Sequence, residues 1–143
     1  MTGVSFHVPG DPQGKGRAKI VKIGGFSRMA TPQKTAAYEG LIAHAAQQAM
    51  AGAAPLDCAC AVQLSITLAV PASWSKKKTA AALAGQVLPT KKPDADNVVK
   101  AIFDGVNGVV WRDDVQAVDL FLRKRYGATP GVFVRVTPCG EAA

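Results

Sequence analysis

Lys92-Pro93-Asp94-Ala95-Asp96-Asn97-Val98-Val99-Lys100, continued by Asp104, Asn107 and the pair Asp113-Asp114, is the most telling stretch of this 143-residue chain. Val98, Val99, Ile102, Phe103 and Val106 recur at helical spacing, so a helix is predicted from Asp94 to Val106 with Gly108 as its C-terminal stop. The opposite side carries Asp96, Lys100 and Asp104. Asp94 and Asp96 straddle the helix start, where outward-pointing N–H groups favour negative charge; capping accounts for one of them, not for both. Lys100 follows Asp96 by four residues, the spacing of an ordinary surface pair contributing roughly 0.2–0.5 kcal/mol. Asp113-Asp114 stands at the entry to a strand, where a turn tolerates aspartate but adjacent carboxylates still repel unless something compensates them.

Asp94, Asp96, Asp104, Asp113 and Asp114 are half of the ten Asp and Glu in a chain whose net charge is +7. Each alone has a bland explanation. Together they place Asp94, Asp96 and Asp114 at the ends of adjoining elements, where a helix start and a strand start can face each other around a cation. Hard oxygen donors point to magnesium, which takes one or two carboxylates and keeps waters for chemistry. The basic remainder of the chain points to a polyanionic substrate. Phosphodiester hydrolysis joins the two, with a nearby ammonium such as Lys100 adding positive charge where the leaving oxygen develops its own.

Other classes are disfavoured. No run approaches the roughly 18 apolar residues of a membrane span and the N-terminus lacks a secretory pattern, so a cytoplasmic protein away from membranes is expected. Cys58, Cys60 and Cys139 match neither a zinc framework nor a disulfide scaffold and read as idle thiols. His7 and His44 are far from the acidic window in sequence, which argues against Ser-His-Asp, Cys-His and histidine-based zinc chemistry.

Working outward, Val4–Val8 reads as a strand ended by Pro9-Gly10-Asp11-Pro12. A glycine-interspersed basic segment follows, with Lys15, Arg17, Lys19, Lys22, Arg28 and Lys34 against Asp11; it suits phosphate contact through Lys15, Arg17 and Lys19, or is a solvated loop. Thr31-Pro32 starts a helix from Gln33 to about Ala51. Ala59–Val70 alternates as a strand, stopped by Pro71. Trp74-Ser75-Lys76-Lys77-Lys78 opens a short helix to about Ala84; the lysines either solvate a surface or line a nucleic-acid track. Val115–Lys124 and Gly131–Thr137 are two closing strands, antiparallel, with Tyr126–Gly131 as their turn. The expectation is one α+β domain over 1–143, a single mixed β-sheet with helices packed against it, in the order β-α-β-α-α-β-β.

The run from Lys92 to Lys100 with Asp104, Asn107-Gly108 and Asp113-Asp114-Val115-Gln116 resembles the RusA-type Holliday junction resolvases, endodeoxyribonucleases of bacteria and their prophages. Weaker likeness covers Lys15-Gly16-Arg17, Arg123-Lys124 and Gly131-Val132. The resemblance implies that Asp94, Asp96 and Asp114 are catalytic, metal-binding carboxylates, that Lys100 is the essential lysine, and that Asp113, Asp104 and Asn97 support them. It also implies a magnesium cofactor that manganese can replace, a homodimer, and paired nicks across a four-way DNA junction leaving 5′-phosphates, in DNA recombination and repair. A two-fold dimer suits a two-fold substrate. Two rivals differ in outcome: a DNA-binding module without catalysis, and a less selective metal nuclease of branched DNA.

Overall fold

The computed structural model describes residues 3–15, 19–23, 26–30 and 33–139, the two short ranges at the level of strand backbone. The elements in chain order are β1 (Val4–Pro9), β2 (Lys19–Ile23), β3 (Phe26–Ala30), α1 (Gln33–Met50), β4 (Cys60–Ala69), α2 (Lys76–Leu83), α3 (Ala95–Val106), the 3-10 turn Asp114–Gln116, β5 (Ala117–Gly127) and β6 (Gly131–Pro138). Four strands form one mixed sheet in the order β1-β6-β4-β5, and β2 pairs only with β3. The α+β class and the sheet-with-helices architecture are as the residue pattern predicts.

Three features differ from the sequence expectation. The basic segment after β1 contains an antiparallel hairpin, with Lys19 opposite Ala30 and Ile23 opposite Phe26, rather than loop alone. Gly24-Gly25 between two short apolar runs is a two-residue hairpin signal, masked in the reading by the surrounding charge. Arg17 lies outside the described residues. The second difference is strand order: β5 and β6 do run antiparallel, but β4 lies between them, parallel to β5 and antiparallel to β6. Parallel neighbours need a long crossover, and the segment carrying α2 and α3 provides it. The strand β5 also starts later than Val115, because Asp114–Gln116 forms the 3-10 turn instead.

One sheet face is buried. Val4, Phe6 and Val8 from β1, Val62, Leu64 and Ile66 from β4 and Val132, Val134 and Val136 from β6 alternate inward and pack with Tyr38, Ile42, Val98 and Ile102 of α1 and α3. The two helices cross closely at Gly105, where a Cβ would come within 2.7 Å of the Ile42 side chain. Trp111 and Val110 are fully buried in this core. The start and stop of α3 follow the sequence: Asp94 is its N-cap and Gly108, at φ +78°, lies just past its end. No helix among the described residues is long and apolar enough to cross a membrane.

Candidate active site

The site is assembled on α3. Asp94 occupies the N-cap without any side-chain capping bond, so its carboxylate is not tied to the helix end. Asp96, Lys100 and Asp104 follow at intervals of four, which places them along one side of the helix. No ion pair joins Asp96 to Lys100 among the described residues; Lys100 instead acts on Asp114, lowering its pKa. Asp114 is nevertheless held above the ordinary aspartate value of 3.8, first by desolvation, then by the hydrogen bond and charge of Asp113 and by the charge of Asp104. The helix and the acidic turn therefore meet, with Lys100, Asp104 and Asp113 each within electrostatic reach of Asp114. Asp94 and Asp96 sit at the exposed helix start.

The turn holding Asp113 and Asp114 is fixed by Gln116, Asn107 and Trp111, to which the sequence assigned no role of their own. Asp113 and Gln116 form a capping box, and the Gln116 Oε1 accepts from the N–H of Arg112 (2.9 Å) and of Asp113 (3.0 Å). The Gln116 Nε2 donates to the carbonyls of Leu56 (2.8 Å) and Cys58 (3.0 Å), clamping the turn to the segment before β4. An Asp followed three residues later by Gln is the signal that could have exposed this role. On the other side, Trp111 Nε1 donates to Asn107 Oδ1 at 2.6 Å and its ring meets Phe103 edge-on at 5.0 Å, anchoring the turn to the end of α3.

Lys15 reads from sequence as a phosphate contact, yet its ammonium is held by Asp104 and by Glu39 of α1, the latter at 3.1 Å. Asp104 first, then Glu39, raise its pKa above the ordinary lysine value, against an opposing effect of burial. The Lys15 N–H donates to the Asn97 carbonyl (3.1 Å), and Gly14 lies so close to Asn97 that a Cβ would approach its Cβ within 2.8 Å. Asn97 is thus a docking point for the loop after β1. Glu39 has no signal in sequence beyond being the sole acid of α1. Beside this junction lies a cleft of about 500 Å³ lined by Gln13, Lys15, Lys34, Lys92, Asp94 and Asn97 among others. Its cations and its single carboxylate from Asp94 suit an anionic strand passing the acidic centre.

Lys76, Lys77 and Lys78 form the first turn of α2, capped by Ser75, whose Oγ accepts from the Lys78 N–H at 3.1 Å. The Lys78 ammonium stands 3.9 Å over the Trp74 ring, which packs edge-on against Tyr126. Lys76 and Lys77 are exposed; Lys19 is placed only as the first residue of β2. Cys60 is buried and desolvation pushes its thiol up to about 11, in keeping with an idle thiol. His7 on β1 and His44 on α1 take no part in the acidic site.

The family model described as endodeoxyribonuclease RusA matches residues 9–137. The chain belongs to the RusA endodeoxyribonuclease family. A relative in Bacillus subtilis (strain 168), the uncharacterized protein YqaN, is 32% identical over 141 residues, spanning 95% of this chain and 96% of its own length. The α+β fold with one mixed four-stranded sheet is consistent with the RusA fold. Nucleases of the RusA family generally depend on a divalent metal. In donor chemistry the acidic centre fits such an ion: every candidate ligand is a hard carboxylate, and the neighbouring charges of Asp113 and Asp104, which add to desolvation in raising the pKa of Asp114, are charges a cation would offset. Among the described residues no three Asp, Glu, His or Cys side chains are grouped closely enough to hold a metal ion between them.

The sign of the Asp114 shift yields a test. A carboxyl whose pKa rises on folding contributes stability below its unfolded value, near 3.8, and loses that contribution as pH rises through the folded value. Asp114→Asn removes the ionisation, so in chelator the stability of the variant relative to the wild type is expected to increase from about pH 4 to pH 7. Urea titrations at the two pH values measure it; a variant that loses stability relative to wild type over that range would contradict the electrostatic reading.

Proposed function

We propose that this chain is a magnesium-dependent, structure-selective endonuclease that acts in the cytoplasm as a homodimer, resolving four-way DNA junctions by paired symmetric nicks that leave 5′-phosphates. The observation that carries the reading is the convergence of the Lys100–Asp104 side of α3 with the Asp113-Asp114 turn, in a chain of the RusA family. Asp94, Asp96 and Asp114 are assigned as the carboxylates that hold the ion. Magnesium commonly uses one or two carboxylates with water and substrate oxygens completing its shell, so an open arrangement suits it better than a cage. When bound, the metal supplies an activated water and neutralises charge on the scissile phosphate. Manganese has the same preference for hard oxygen and is expected to substitute.

The chain's own residues do the rest. Lys100, beside Asp114, is placed to offset negative charge gathering on the phosphate as the bond breaks. Asp113 and Asp104 keep the centre strongly acidic until cation and substrate enter. Lys15 ties Asp104 in the last turn of α3 to Glu39, and its N–H donates to the Asn97 carbonyl in the first turn, so it holds the loop after β1 to α3 and α1. Lys34 and Lys92 line the cleft, and Lys76, Lys77 and Lys78 extend the basic surface, as the DNA track.

The direct test is incubation of the purified protein with a labelled four-way junction and with a linear duplex of the same sequence, each with and without magnesium. Symmetric, metal-dependent nicks confined to the junction support the reading. Binding without cleavage in either magnesium or manganese would replace it with a DNA-binding module, and equal cutting of both substrates with a less selective nuclease.

The cations of the track are separable. Lys34→Ala and Lys92→Ala are each expected to reduce the slope of log affinity against log salt by about one, as loss of a phosphate contact requires. Lys15→Ala is expected to change that slope much less and to lower the thermal midpoint, because its ammonium is already held by two carboxylates. Junction binding measured from low to moderate salt distinguishes them.

A further inference from the structure

The sheet ends in a long edge strand, β5, whose N-terminal half is rich in exposed apolar side chains. β5 pairs with β4 along one side, and its other side has no strand partner among the described residues. The C-terminal half of β5 is covered: Trp74 packs on Tyr126 with ring centroids 5.2 Å apart, and Lys124 Nζ donates to the Lys91 carbonyl at 2.6 Å. The N-terminal half is bare, with Val118 58%, Leu120 49% and Phe121 59% exposed. Edge strands of this kind pair with another chain unless charge, proline or a covering element blunts them.

The sequence of β5 is complementary to itself. Asp119 stands before Phe121 and Arg123 the same distance after it, and all three point to the sheet face away from the helices, since Phe121 is in register with Gln63 while Leu120 and Leu122 are in register with the buried Val62 and Leu64. Antiparallel pairing of two copies about Phe121 sets Asp119 of each opposite Arg123 of the other, twice, with Phe121 opposite Phe121 and Leu120 opposite Leu122. Centring the pairing on Leu120 instead matches no unlike charges; centring it on Leu122 does match Asp119 with Arg125, but it sets Arg123 against Phe121 and so breaks up the Phe121 pair that the proposed register keeps.

We propose that β5 is the surface through which two copies of this chain associate, in this register, making one continuous sheet across a two-fold axis at Phe121. This names the interface of the homodimer proposed above and rests on that reading only for the expectation of two copies. The interface is isologous, as closed two-fold dimers require. Asp114 lies seven positions before Phe121, so the axis places an acidic turn on either side of it.

Sedimentation of the full chain without DNA tests the surface independently of any nuclease activity. The wild type is expected to sediment as a dimer at tens of micromolar. Asp119→Arg and Arg123→Asp are each expected to raise the dissociation concentration about tenfold or more, because two attractive cross-strand pairs become repulsive. An equimolar mixture of the two single variants is expected to regain dimers, since every cross-strand pair is then attractive; a merely structural role for either residue does not predict that recovery. Asp119 Oδ2 also meets the Cys139 thiol at 3.6 Å, so Arg123→Asp is the cleaner single variant. Should either charge variant fail to fold by circular dichroism, Phe121→Lys is expected to give a folded monomer. A monomeric wild type, single variants that dimerise as wild type does, or a mixture that stays monomeric would overturn the proposal. Junction cleavage by a monomeric wild type would overturn this surface alone, and dimers that never cleave would overturn the nuclease reading alone.

Discussion

Asp96→Asn is expected to lower junction cleavage by about 1,000-fold or more while leaving junction binding within a few fold of wild type. Asparagine has nearly the same shape as aspartate and loses only the charge. Asp96 is exposed in the first turn of α3 and is joined to no cation among the described residues, so the substitution leaves the fold without an unpaired partner. The loss is therefore a loss of metal affinity and of transition-state charge balance, and it should appear in turnover rather than in DNA retention. Gel-shift and cleavage assays on the same junction, at the same salt, measure the two separately. Cleavage at the wild-type rate would remove Asp96 from the catalytic set and would shift the weight to Asp94 and Asp114.

Trp111→Ala is expected to destabilise the protein by about 3–5 kcal/mol, the range for deleting a large buried aromatic. Trp111 is fully buried, packs edge-on against Phe103 and donates to Asn107 Oδ1 at 2.6 Å. It lies two residues before Asp113, so the cavity opens directly behind the acidic turn. The variant should lose cleavage even below its melting temperature, because the turn then hangs only on Gln116. Trp111→Phe keeps most of the packing and loses the indole N–H, and is expected to lose about 0.5–1.5 kcal/mol while retaining measurable cleavage. Denaturant unfolding with a parallel activity assay checks both. A stable Trp111→Ala variant with normal cleavage would show that the turn does not depend on this anchor.

The two predictions draw on different kinds of information. Asp96, with Asp94, Lys100, Asp104 and Asp114, is legible in the chain because spaced carboxylates in a basic protein stand out without any knowledge of packing. The anchoring of the turn is less legible. Trp111 beside Val109 and Val110 could equally have served a surface, and only the folded core shows Val110 and Trp111 buried. Gln116 was recoverable in principle from its spacing to Asp113, a local hydrogen-bonding pattern.

What the chain determined by itself is whatever depends on neighbours a few residues apart: the helix on Asp94–Val106, the alternation of β1, β4 and β6, the stop at Gly108, and the acidic set. Those follow from backbone periodicity and charge, which are local quantities. Tertiary structure alone decided that β4 separates β5 from β6, that Lys15 reaches across to Asp104 and Glu39, and that Lys100 acts on Asp114 rather than pairing with Asp96. Each of these joins residues far apart in the chain, or chooses among partners that local spacing leaves equivalent. The choice is made by burial of one sheet face against α1 and α3, which sets which side chains can meet at all.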